Sequence, residues 1–152
     1  MKLHTKYFSE LDVITFFKIA KARVDIFVVE QNCAYPELDE VDQDDNTLHI
    51  YALDDEGQIA MYARCYPKGS DCIAIGRVMV SHRHRGKGYA TLLMQECLAK
   101  CDVAWPDKNI ELSAQTHLKN FYASFGFEQI SDSYLEDGIP HTDMKLNKKA
   151  SQ

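Results

Sequence analysis

The chain has 152 residues, 45% of them apolar and 26% charged, with a formal net charge of −6. That length and balance fit a single globular domain over residues 1–152, able to bury about two-thirds of its unfolded surface. The acidic balance argues against a nucleic-acid partner, which would call for a basic face, and no apolar run is long enough to span a membrane.

The five cysteines are odd in number and none forms a Cys-x-x-Cys pair, so neither a disulfide framework nor a zinc ribbon is indicated. The N-terminal "MKLHTKYFSELD" carries no apolar core of a signal peptide. Reduced thiols and no leader lead us to expect a cytoplasmic protein.

In chain order, "KLHTKYF" alternates as a strand does. "VITFFKIAKARVDIFVV" has apolar residues at Val13, Phe16, Phe17, Ala20, Val24, Phe27 and Val28, a helical spacing that predicts one helix. "EQNCAYPELDEVDQDDN" follows, with six acidic residues between Glu37 and Asp45, and reads as a solvated loop; a calcium loop would need a glycine spacing it lacks. "TLHIYAL" and "QIAMYARCY" flank "DDEGQ" as a hairpin. "CIAIGRVMV" is apolar at nearly every position, as in a strand covered on both faces.

A helix over "ATLLMQECLAKC" is expected from Leu93, Cys97 and Cys101, and "NIELSAQ" reads as a strand. "THLKNFYASFGF" predicts a helix capped by Thr116 and stopped at Gly126. "FEQI" and "HTDMKLN" close the chain as short strands around "SDSYLEDGIP". Strands and helices alternate through the middle, which implies an α/β class with a mixed sheet.

Between the buried strand and its helix lies "RHRGKGYA", residues 83–90. From Cys72 to Gln95 there is no acidic residue, while Arg77, Arg83, Arg85 and Lys87 are basic. A strand-to-helix turn presents unpaired N–H groups and the positive end of the helix dipole, and glycines let the backbone close on a ligand. A phosphate is the natural occupant. The sequence has neither a P-loop nor a complete dinucleotide fingerprint, since Thr91 stands where the latter needs its third glycine.

Arg85-Gly86-Lys87-Gly88-Tyr89-Ala90 resembles the pyrophosphate-binding motif of the GNAT superfamily of N-acetyltransferases, whose donor is acetyl-CoA. Arg83-x-x-Gly86-x-Gly88 also fits that pattern, but the later frame opens the helix directly. "LSAQTHLKNFYASFGF" is similar to the family's second signature, with Gln115 where Asn is usual and Tyr122 and Gly126-Phe127 matching. "FVVEQNCAYPELDEVD", "AQTHLKNFY" and "EDGIPH" narrow the resemblance to the ElaA-type branch. It implies a single-domain fold with a mixed, mostly antiparallel central sheet flanked by helices. It also implies a coenzyme A arm along Val78-Met79-Val80 and the diphosphate on the amides of residues 85–90, with no metal.

Acetyl transfer needs an amine without its extra proton, a nearby acyl carbonyl, and an acid for the departing thiolate. Tyr122, with an ordinary phenol pKa near 10, is the expected acid. For the base, Glu111 shares a strand face with Ser113 and Gln115, though it could instead pair with Arg77. Glu30, His49, Glu136, Asp137 and His141 are further candidates, with Glu30, Glu136, Asp137 and His141 expected around the acceptor. Cys33 as a nucleophile stays open beside the favoured direct transfer. A non-catalytic acyl-CoA-binding domain and a protein-interaction module built on the acidic loop are the competing readings.

Overall fold

A computed structural model describes residues 1–148. Strands β1 (Leu3–Tyr7), β2 (Leu48–Leu53), β3 (Ile59–Lys68) and β4 (Cys72–Val80) form an antiparallel meander. Strand β5 (Asn109–Gln115) runs parallel to β4, and β8 (Ile139–Leu146) pairs antiparallel with β5. The short strands β6 (Glu128–Gln129) and β7 (Tyr134–Glu136) both pair with β8, giving the order β1-β2-β3-β4-β5-β8-β6 with β7 beside β8. The mixed, mostly antiparallel sheet expected from the sequence is therefore present.

Helices cover both faces, which explains the unbroken apolar run in β4. Helix α2 (Tyr89–Ala104) puts Leu93, Met94, Cys97 and Cys101 against Ile50, Ala63, Cys65 and Ile75. Cys65, Cys97 and Cys101 share this core, and hydrogen bonding among them together with burial holds the Cys65 thiol far above its ordinary pKa. On the other face, Ile19 and Ile26 meet Tyr51, Tyr62 and Met79.

The first helix departs from its expected pattern. Helix α1 (Val13–Arg23), capped by Asp12, gives way to a π-helical segment, Val24–Glu30. Val13 and Phe17 are 82% and 64% exposed, and the buried positions are Ile19, Arg23 and Ile26. The apolar count failed because the inward face carries a charge and the helical period changes after Arg23.

The acidic segment is only in part a solvated loop: Asp39, Glu40, Asp44 and Asp45 are exposed, but Glu37 and Asp42 are buried. Arg23 is 0% and Glu37 4% exposed. Arg23 donates from Nε to Glu37 Oε2 at 2.7 Å and from Nη1 to Asp42 Oδ1 at 2.5 Å. Arg64 donates to Asp39 at 2.7 Å and to Asp42 at 2.9 Å, and Arg77 Nε donates to Glu37 Oε2 at 2.9 Å. Buried Arg23 and Arg64 are thus offset by buried Glu37 and Asp42, with exposed Asp39 and half-buried Arg77 at the edge of the network, the condition under which buried charge is tolerated.

Two further differences lie near the C-terminus. Helix α3 is only Lys119–Ala123, preceded by a 3₁₀ turn at Thr116–Leu118. Thr116 does not cap it, because its hydroxyl instead meets those of Thr142 and Ser133. Strand β7 lies within what reads as a connection, and Asp137 and Gly138, with φ of +50° and +80°, make the tight turn into β8.

Candidate active site

The parallel pairing of β4 and β5 runs only from Cys72 opposite Asn109 to Ala74 opposite Glu111. Beyond it the two strands separate, and a cleft of about 830 Å³ occupies the gap. A bulge marks the divergence. Arg64 faces Gly76 and Tyr62 faces Met79, so Arg77 and Val78 together stand opposite Ala63. Arg77 takes a left-handed φ of +53°, and its side chain is tied to Glu37. Val78, Met79 and Val80 line the cleft as expected, although Met79 is also packed into the core against Tyr62.

At the end of β4 the basic loop turns into α2. Gly86 and Gly88 have φ of +76° and +81°, and a Cβ on either would meet no atom within 4 Å. The space around these glycines and the first-turn amides of α2 fit a diphosphate. The two motif arginines point differently with respect to the cleft. Arg85 lines it, whereas Arg83 is turned away onto Glu56 at 3.0 Å and His84 Nε2 onto Asp54 at 3.0 Å. Lys87 and Tyr89 line a smaller neighbouring depression, and Ala90 follows Tyr89 in the first turn of α2.

Tyr122 projects from α3 into the same cleft while packed between Phe121 and Phe127. It is 6% exposed, and burial pushes its phenol pKa up to about 12. It therefore holds its proton throughout the neutral range. Gln115 lies at the end of β5 opposite His141.

The remaining expected residues are spread along the cleft. Glu111 lies where β4 and β5 still pair, opposite Lys145 on β8 and beside Cys72, whose thiol pKa is raised by burial and by hydrogen bonding to Glu111. The alternative pairing of Glu111 with Arg77 does not form, because Glu37 and Asp39 take Arg77. Glu30 reaches across to Arg85 at 2.8 Å, so it adjoins the phosphate loop as well as the mouth. Glu136 lies 3.5 Å from His141 Nε2, His141 Nδ1 meets the Ile139 carbonyl oxygen at 2.7 Å, and Cys33 Sγ approaches the Asp137 carbonyl oxygen at 3.5 Å. His49 is sealed below the sheet, its ring nitrogens meeting Tyr62 Oη and the Asp42 carbonyl oxygen. Among the described residues no group of three or more His, Cys, Asp or Glu could hold a metal ion.

Sequence reasoning assigned no role to Ser113, Tyr134 and Asp143, which line the cleft and are joined by hydrogen bonds of 2.6 and 2.5 Å. The alternation of "HTDMKLN", with His141, Asp143 and Lys145 on one face, was the available signal for Asp143.

Comparison with known proteins agrees with this geometry. Residues 20–148 match the family described as "Acetyltransferase (GNAT) domain". Protein ElaA of Escherichia coli (strain K12) is 42% identical over 138 residues, 90% of each chain. A UPF0039 protein of Schizosaccharomyces pombe is 41% identical over 142 residues, 93% of each. The crystal structure of Escherichia coli ElaA superposes with a TM-score of 0.92 at 37% identity, covering 97% of this chain and 100% of that one. An acyl-CoA N-acyltransferase from Pseudomonas aeruginosa gives a TM-score of 0.91 at 35% identity, covering 95% and 97%.

Proposed function

Because the chain belongs to the GNAT family of acyltransferases, we propose that it moves an acetyl group from acetyl-CoA to a primary amine of a small molecule or peptide by direct transfer. The observation that carries this reading is the separation of β4 from β5, with the Tyr122 side chain inside the gap and the glycine loop at its end. The thioester supplies an electrophilic carbonyl and a thiolate leaving group. The edge of β4 at residues 78–80, beyond its pairing with β5, would hold the pantetheine arm as an added strand, and the loop at 85–90 the diphosphate. Tyr122, protonated and desolvated, would donate to the leaving sulfur. Glu136 and Asp137 at the mouth would draw in a cationic amine. Five free cysteines support a cytoplasmic setting, and the whole chain would act as one domain.

The test is thiol release from acetyl-CoA across a panel of amines and peptides. Cationic amines should be preferred, and added salt should weaken that preference. Binding of coenzyme A with no amine-dependent thiol release would favour the non-catalytic acyl-CoA-binding reading instead.

A further inference from the structure

An alkylamine at neutral pH is an ammonium without a lone pair, so transfer to it needs a proton acceptor facing the acyl group. Glu111 stands at the closed end of the cleft, at the last paired position of β4 and β5. Ser113 lies two residues further along the same face, past the point where the strands part. Its Oγ is 2.6 Å from Tyr134 Oη, which donates to Asp143 Oδ1 at 2.5 Å. A phenol has one proton to give. Since Tyr134 gives it to the carboxylate, Ser113 must donate to Tyr134, leaving a serine lone pair for an incoming N–H. Asp143 faces Ser113 directly in the β5–β8 register, and all three side chains line the cleft. Burial, then the hydrogen bond to Asp143, raises the Tyr134 pKa, so the resting proton sits on the phenol.

We infer that Ser113, Tyr134 and Asp143 form a proton relay that deprotonates the acceptor amine, an inference that rests on the transferase reading of this cleft. The ammonium gives a proton to Ser113 Oγ, Ser113 passes its own to Tyr134, and Tyr134 passes its own to Asp143, which releases it to solvent. The freed nitrogen lone pair forms the C–N bond as the C–S bond breaks, and the thiolate takes the Tyr122 proton. The second nitrogen proton, lost as the amide forms, restores Tyr122 through water. In balance, an ammonium and a thioester yield an amide, a thiol and one proton.

Other charged groups surround the relay without joining it. Glu111 and Lys145 flank it towards the closed end. At the mouth the His141 ring stacks on Tyr134 at 6.3 Å, with its two nitrogens directed to Ile139 and Glu136.

The experiment compares Tyr134→Phe and Asp143→Asn with the parent on two acceptors. One is the best alkylamine from the thiol-release screen. The other is its aminooxy analogue R–O–NH2, whose nitrogen is already neutral at pH 7. With the alkylamine both variants should lose roughly 10²-fold in kcat. Their log kcat should climb with pH as solvent takes over the deprotonation. With the aminooxy analogue both should stay close to the parent. Equal losses on both acceptors would mean that the residues only shape the cleft, and no loss on either would place the base elsewhere; each overturns the relay while leaving the transferase intact. A parent that binds coenzyme A but transfers to no amine overturns both.

Discussion

Glu37→Gln tests the buried charge network that closes one wall of the cleft. In the parent, Glu37 Oε2 accepts from Arg23 Nε at 2.7 Å and from Arg77 Nε at 2.9 Å, and its carbonyl oxygen accepts from Nη2 of both, at 2.9 and 3.1 Å. The substitution keeps the side-chain volume and both carbonyl bonds. It removes the charge, leaving a neutral amide oxygen to face both arginines, and puts an NH2 where Oε1 accepts from the Tyr35 hydroxyl. Arg23 is fully buried, so water cannot take the lost place.

Removing one partner of a buried pair costs about 3–5 kcal/mol. Asp42 still neutralises Arg23, and Asp39 lies 3.7 Å from Arg77, so the lower end applies. At about 2–4 °C per kcal/mol for a chain of this size, a loss of about 3 kcal/mol lowers Tm by roughly 6–12 °C. Thermal unfolding followed by circular dichroism, without ligand, reads this directly. Glu40→Gln is the control, because Glu40 is exposed and its carboxylate accepts from Gln43 three residues along; it should change stability by less than about 0.5 kcal/mol. A Glu37→Gln shift no larger than the control's would refute the claim that the network stabilises the fold.

The same network sets an acid limit. The hydrogen bond from Arg64 holds Asp39 below the usual carboxylate pKa, and at Asp42 the opposing effect of burial is outweighed by Arg23. Their contribution is therefore complete above pH ~4, the unfolded value, and is lost as pH falls through the lower folded values; a Tm that is flat from pH 5 down to pH 2 would contradict this. At a concentration ~100 times Kd, coenzyme A should stabilise the parent by about 2.7 kcal/mol, or roughly 5–11 °C in Tm. Gly86→Glu, which puts a carboxylate into the space at the phosphate loop, should abolish that shift, and an undiminished shift would place the diphosphate elsewhere. Tyr122→Phe should leave coenzyme A affinity unchanged and lower kcat by roughly 10²-fold; equal turnover with the best acceptor, where chemistry limits the rate, would remove Tyr122 from the reaction.

What the sequence alone determined was local. The hairpin at "DDEGQ", the doubly covered β4 and the glycine loop before α2 are each set by a few contiguous residues, whose alternation, turn chemistry and left-handed glycines need no distant partner. Tyr122 was found through its motif, and the fold places it in the cleft. The fate of the charges was decided only by the tertiary structure. Glu37 and Asp42 look solvated in sequence because the groups that offset their desolvation, Arg23, Arg64 and Arg77, lie on α1, β3 and β4. Arg23 looks like the polar edge of a helix for the same reason. Ser113, Tyr134 and Asp143 come from three strands, and only the register of β5, β7 and β8 brings them together. Whether a charge or a hydroxyl can leave water depends on a pair, and such pairs form only when the chain has folded.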